Sequence, residues 1–249
     1  MKIVLEITYD GANFSGWQKQ PQKRTIQSEI ESAIKKVLGF PVEIFASGRT
    51  DAGVHAICQV AHFETEQKIS LKTLAASINA FLPEDIRILS CREADMDFDA
   101  RFSCKKKTYV YKFYACRFEL PLKRGRELRV NDYVDVSKME QALKFLVGKH
   151  DFKSFVARKS GKTDFTREIF KAKINRLSDF EFEFEITGNG FLYNMVRIIM
   201  GTLLLIGYGK WPVERLKEII DGQKRELSGR TLPAYALYLK NVEYNEEND

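Results

Sequence analysis

The chain has 249 residues, 44% hydrophobic and 30% charged, a composition that excludes a disordered chain and allows one large core or two small ones. Forty Lys and Arg against 34 Asp and Glu give a net charge of +6 and a pI near 9.0, which points to a polyanionic partner, most simply nucleic acid. Cys58, Cys91, Cys104 and Cys116 form no C-x-x-C pair and the 3 histidines have no metal spacing with them, so no metal and reduced thiols in a cytoplasmic protein are expected.

Met1 leads directly into an alternating pattern over residues 2–9, with Ile3, Leu5 and Ile7 on one face, which predicts a strand and no signal peptide. Thr25 is placed to cap a helix to about Leu38, whose Ile26, Ile30, Ile34 and Val37 make one apolar stripe stopped by Gly39 and Pro41. Residues 42–47 and 57–65 read as strands. Ser70 starts a helix with Leu71, Leu74, Ala75, Ile78 and Leu82 on one side, ended by Pro83, and residues 86–93 close the half as a strand. The order is β-α-β-β-α-β.

The second half repeats that order. Residues 107–115 read as a strand, and Ser137 with Glu140 as a capping box before a helix that Gly148 ends. Residues 168–176 and the alternating FEFEFEI of 180–186 read as strands. An apolar helix from about Phe191, an extra helix started by Pro212 and a strand over 235–244 complete it. The expectation is an α+β fold of two tandem ferredoxin-like units, 1–104 and 105–249, with their sheets joined around a central cleft. Basic residues concentrate in the connections: Lys19, Lys23 and Arg24; Lys105, Lys106 and Lys107; Arg124, Arg126 and Arg129; Arg158, Lys159, Lys162 and Arg167. Their placement suggests phosphate contacts.

Residues 191–209 are apolar over nearly the length a bilayer needs, but Arg197, an Asn and three glycines interrupt them, so a buried helix is expected and no membrane span. A guanidinium in such a helix needs a carboxylate or several acceptors, and none of its neighbours there is acidic. The loop Ser47-Gly48-Arg49-Thr50-Asp51-Ala52-Gly53-Val54-His55-Ala56 supplies a candidate in Asp51, set between glycines that let another molecule come close. Arg197 is therefore expected to be buried and paired with Asp51. His55 reads as structural.

SGRTDAGVHA resembles the signature of the TruA-type tRNA pseudouridine synthases. The opening TYDGANFSGWQKQ with Thr25-Ile26-Gln27, the run Ala100-Arg101-Phe102-Ser103 before Lys107-Thr108-Tyr109-Val110-Tyr111, Asp151-Phe152-Lys153-Ser154-Phe155, the stretch from Asn189 to Arg197 and the ending Pro233-Ala234-Tyr235-Ala236-Leu237-Tyr238-Leu239 are similar to that family in the same order. The resemblance implies that Asp51 is the catalytic aspartate and Tyr109 the ring that stacks on the target base. It implies that Arg49 helps displace the flipped nucleotide, that Arg197 pairs with the aspartate and that Leu237 borders the site. It further implies isomerisation of uridines 38, 39 and 40 in the tRNA anticodon stem-loop, no cofactor, and a homodimer. Strand alternation alone puts Tyr109 and Tyr111 on one face and does not choose between them. A tandem RRM shares the β-α-β-β-α-β order but needs an RNP1 run that is absent from this sequence. A hydrolase or glycosidase with paired carboxylates needs a second acidic turn, and none occurs in a comparable place.

Overall fold

The structure is a computed structural model that describes residues 1–157 and 164–244. Arg158, Lys159, Lys162 and the acidic tail from Glu246 lie outside the described residues. The chain forms two compact units, one of residues 1–105 with the chain from Tyr238 onward, the other of residues 106–237.

In the first unit, β1 (Lys2–Tyr9) is a central strand, so Val4 is buried as well as Ile3, Leu5 and Ile7. Helix α1 (Ile26–Leu38) starts where the Thr25 hydroxyl accepts the Ser28 amide, and it stops at Gly39, whose φ of 82° only glycine adopts without strain. Glu29 in its first turn and Lys35 and Lys36 in its last oppose the helix dipole. Strands β2 (Phe45–Ala46) and β3 (His55–Glu64), helix α2 (Leu71–Asn79) and strand β4 (Ile86–Ala94) follow. β1 pairs antiparallel with β3 on one edge, Lys2 opposite Glu64, and with β4 on the other, Lys2 opposite Ala94. Ile26, Ile30 and Ile34 of α1 and Ile78 of α2 are fully buried, each worth about 1.5–3 kcal/mol of burial.

Two expectations for this unit need correction. The strand anticipated over 42–47 contracts to two residues, because the Ile44 amide donates to the buried Glu31 carboxylate at 3.2 Å rather than joining a ladder. Ser70 precedes α2 without a side-chain cap.

The second unit opens with β5 (Lys106–Ala115), then β6 (Leu128–Val130), α3 (Val136–Leu143), β7 (Gly148–Asp151), β8 (Thr166–Arg176), β9 (Glu181–Gly188), α4 (Met195–Gly207) and α5 (Arg215–Gly222). The sheet order is β5-β9-β8-β7, antiparallel throughout, with the short β6 parallel to β5. On β9 the alternation holds: Phe182, Phe184 and Ile186 are buried, while Glu183 and Glu185 face Lys112 and Lys173 at 3.5 and 3.4 Å.

Helix α3 begins earlier than the anticipated box, because Asp135 is its cap and accepts the Lys138 amide at 3.1 Å; Ser137 lies inside the first turn. The helix ends at Leu143, and Gly148 at φ 109° opens β7 instead of capping it. Helix α4 begins at Met195, not Phe191, because Asn194 takes a left-handed conformation (φ 62°, ψ 6°) that no helix interior allows. α4 has 13 residues, and among the described residues no helix is long and apolar enough to cross a membrane. α5 starts at Arg215, three residues past Pro212.

The final strand, β10 (Leu237–Glu243), runs parallel to β3, with Tyr238 opposite His55 and Leu239 opposite Ala56. From Tyr238 onward it belongs to the first unit, so the units do not divide at 104/105 as chain order suggested. The pairing of β10 with β3 joins residues remote in sequence.

Candidate active site

The loop between β2 and β3 is fastened at its start, middle and end. At the start, Ser47 donates its hydroxyl to Gln59 Oε1 at 2.6 Å, and Gln59 Nε2 donates to the Gly48 carbonyl at 2.9 Å. Ser47 and Gln59 are fully buried, so these bonds have little competition from water. In the middle, the Tyr9 hydroxyl and Thr50 Oγ1 lie 2.7 Å apart, and the Trp17 amide donates to the Thr50 carbonyl at 3.0 Å. Burial pushes the Tyr9 phenol far above its usual range, against the smaller opposing effect of hydrogen bonds to Thr50 and Gln59. Tyr9 is thus a neutral strut and not an acid or base. At the end, the Val54 amide closes a turn on the Asp51 carbonyl at 3.1 Å, with Gly53 at φ 77°.

A second loop, residues 10–17, lies against the first, backbone on backbone. A Cβ on Gly11 would sit 2.0 Å from the Val54 carbonyl oxygen, and one on Gly16 2.8 Å from that of Thr50. Gly16 also has φ +93°, so neither position accepts a side chain. His55 is buried, stacks on Tyr238 with centroids 4.6 Å apart, and receives the Gly11 amide on Nδ1 at 3.1 Å. Nδ1 also lies 3.0 Å from Asp10 Oδ1; one nitrogen cannot accept from Gly11 and donate to Asp10 at once. The aimed Gly11 amide favours Nδ1 as acceptor, and in both protonation states the ring holds the two loops together. His55 is structural, as its sequence context suggested.

Along this fastened loop, Thr50, Val54 and His55 are buried, Asp51 is partly exposed and Arg49 is exposed. The loop thus presents a partly exposed carboxylate and an exposed guanidinium from a braced backbone.

The remaining candidates lie in the second unit and around Leu237. Tyr109 on β5 meets Phe191 edge to face at 5.1 Å and keeps 9% exposure, whereas Tyr111 has none and donates its hydroxyl to the Pro233 carbonyl at 2.9 Å. Burial pushes the Tyr111 phenol above its ordinary range. Both tyrosines are buried, Tyr111 fully with its hydroxyl bound to Pro233 and Tyr109 against Phe191. Leu237 is buried where the last 3-10 turn passes into β10.

Arg197 stands in the first turn of α4 and is only partly buried, not buried as expected. Its Nε donates to the Leu232 carbonyl at 2.6 Å and its Nη1 to Asn194 Oδ1 at 2.7 Å. The segment 228–232 is pressed onto α4, since a Cβ on Gly201 would lie 2.1 Å from the Arg230 carbonyl and the Gly229 amide donates to Thr202 Oγ1. That brings a backbone carbonyl within reach of the guanidinium, an acceptor that does not show in a search of the sequence for acids.

The sequence reading missed Tyr9, Thr50, Ser47 and Gln59 as the braces of the loop, and Asn194 and Leu232 as acceptors for Arg197. Gly11 and Gly16 were a signal for the close packing, because two glycines in a run of eight residues mark backbone that must approach something. Among the described residues no group of His, Cys, Asp and Glu could hold a metal ion.

Comparison with known proteins adds independent findings. The family profile described as tRNA pseudouridine synthase matches residues 7–103 and 142–245. The tRNA pseudouridine synthase A of Acetivibrio thermocellus is 42% identical over 244 residues, covering 98% of this chain and 99% of the relative. That of Bacillus pumilus is 42% identical over 259 residues, covering 98% and 100%. The tRNA pseudouridine synthase A 2 of Clostridium tetani is 44% identical over 248 residues, covering 98% of both chains.

Proposed function

This chain belongs to the tRNA pseudouridine synthase family, an isomerase family, and on that premise we propose that it converts uridines 38, 39 and 40 of the tRNA anticodon stem-loop to pseudouridine with Asp51 as its catalytic residue. The observation that carries the role of Asp51 is the bracing of its loop by Tyr9, Trp17, Ser47 and Gln59, which leaves a partly exposed carboxylate on a fixed backbone. Pre-set position is what a catalytic group requires.

The reaction breaks the bond from N1 to ribose C1′, the electron pair leaving with the base. The base then turns and rejoins through C5. C5 gives up its proton and N1 gains one, so atoms and electrons balance without an oxidant or a cofactor. The glycosidic bond lies within a stack, so the nucleotide must first flip out. The Asp51 carboxylate can attack C1′, stabilise positive charge developing there, or take the ribose 2′ proton, and it or a water can accept the C5 proton. The resemblance gives Tyr109 the task of lying against the flipped base, and the exposure of Arg49 suits it to fill the gap left in the stack. The resemblance assigns Arg197 the task of keeping the carboxylate ionised and oriented, and Leu237 a place at the border of the site. It also supports a homodimer acting in the cytoplasm.

The test is incubation of the purified protein with an unmodified tRNA transcript, followed by mapping of pseudouridine along the chain. Pseudouridine at 38, 39 and 40 is expected. Pseudouridine only outside the anticodon arm would overturn the position assignment, and tRNA binding with no pseudouridine would favour an RNA-binding module instead.

A further inference from the structure

Phe102 is 78% exposed, more than any other described large hydrophobic side chain except Leu122. A single exposed apolar residue usually needs no explanation. Phe102 differs because the turn that carries it is built by side chains.

Asp99 Oδ1 accepts the amides of Arg101 and Phe102 at 2.7 and 2.9 Å, and the Ser103 hydroxyl accepts the Asp99 amide at 3.0 Å. Burial works to raise the Asp99 carboxyl, but those two amides, with His62 and Lys2 nearby, bring it below its ordinary value. The Ala100 amide donates to Nδ1 of the buried His62 at 3.1 Å, and the Tyr244 hydroxyl donates to the Ala100 carbonyl at 2.7 Å. Residues 99–103 are thus held from both sides, while Phe102 projects outward with the Arg101 guanidinium 5.2 Å from its ring centre.

The exposed charge within the turn, residues 99–103, is positive. Arg101, Lys105 and Lys106 are exposed, and the carboxylate within the turn, that of Asp99, is spent on backbone amides. Phe118, the next most exposed phenylalanine, has Glu119 next to it. An exposed ring on a rigid turn, flanked by cations, is the combination that stacks on nucleobases and holds the adjoining phosphates.

We propose that Phe102 is a stacking platform for an unpaired base of the RNA substrate, distinct from the reacting uridine, with Arg101 meeting a neighbouring phosphate. The proposal rests on the tRNA-modifying reading above and adds a substrate contact to it. A ring held this way contributes affinity without touching the reacting atoms, so it acts on binding and leaves the chemical step alone.

The experiment compares wild type, Phe102→Tyr, Phe102→Leu and Arg101→Ala for tRNA affinity at fixed salt and for pseudouridine formation under subsaturating and saturating tRNA. Phe102→Leu should raise Kd and KM about tenfold and leave kcat unchanged, whereas Phe102→Tyr should match wild type. Arg101→Ala should raise Kd and flatten its salt dependence by about one phosphate contact. Wild-type affinity in both Phe102→Leu and Arg101→Ala would overturn the proposal, as would equal losses for Phe102→Tyr and Phe102→Leu. Weakened self-association of Phe102→Leu with unchanged tRNA affinity would assign the ring to a protein contact and likewise overturn it. A wild-type protein that neither binds nor modifies tRNA would instead defeat the functional reading itself.

Discussion

The loop from Ser47 to Val54 and the first turn of α4 each hold a charged side chain, and they hold it by different means. In the loop, bracing bonds come from Tyr9, Trp17, Ser47, Gln59 and backbone amides. At α4, the guanidinium of Arg197 makes the bonds itself, to Leu232 and Asn194, and so helps tie the segment 228–232 to the helix. A charge carried by a scaffold can be replaced at little cost to the fold. A charge that is part of the scaffold cannot. The contrast separates residues whose loss reads as chemistry from residues whose loss reads as chemistry and stability together.

The sharpest way to break that contrast is Asp51→Asn. It should lower turnover at least a thousandfold, towards the upper range for a group that transfers protons or attacks, with thermal stability and tRNA affinity close to wild type. A melting temperature that falls as far as the activity would show that the carboxylate is part of the brace. Arg197→Met comes next, with about a hundredfold loss of turnover. It should also cost about 1–3 kcal/mol of stability, because the Leu232 carbonyl loses its donor. Denaturant unfolding of the two variants side by side decides the matter, and equal stability would dissolve the distinction. Arg197→Lys should recover stability better than activity, since an ammonium can reach one carbonyl but lacks the planar fork.

Tyr109→Leu should cost about tenfold in turnover and Tyr109→Phe much less, because the ring face and not the hydroxyl is needed. Steady-state kinetics with saturating tRNA reads both, and a tenfold loss in the phenylalanine variant would move the important group to the hydroxyl. The smallest effect is expected from Tyr9→Phe, which removes from the brace the buried hydroxyl that bonds Thr50 and Gln59. A loss of about 1 kcal/mol in stability and a severalfold drop in turnover are expected. If turnover stays unchanged while stability falls, the loop keeps its position without that bond and the brace is redundant.

What could be read from the chain follows the same division between local and distant causes. Strand β1, helix α1 with its Thr25 cap and Gly39 stop and the Phe-Glu alternation of β9 are set by residues within a few positions of one another, whereas the loop carrying Asp51 shows its residues locally but is held by Tyr9, Trp17 and Gln59 from farther along the chain. Alternation, capping and glycine placement express them directly. The same locality made Asp51 a candidate, since its neighbours define the turn that presents it.

Other features depended on partners far along the chain. The strand over 42–47 shrank because Glu31 takes the Ile44 amide, and the last strand, from Tyr238 onward, belongs with the first unit, where it pairs with β3. Arg197 donates to a carbonyl 35 residues away and is partly exposed, although its apolar surroundings had suggested full burial. Backbone carbonyls exist at every residue, so no composition or spacing marks the one that will accept. The surroundings of Tyr109 and Tyr111 were of the same kind, because alternation puts both on one face, and only the folded chain brings the Pro233 carbonyl to the Tyr111 hydroxyl. The sequence by itself determined the local elements, their order and the chemistry on the Asp51 loop, through forces acting over a few residues. Tertiary structure alone decided which distant backbone groups satisfy the buried hydroxyl and the guanidinium, because such pairings arise only when remote segments meet.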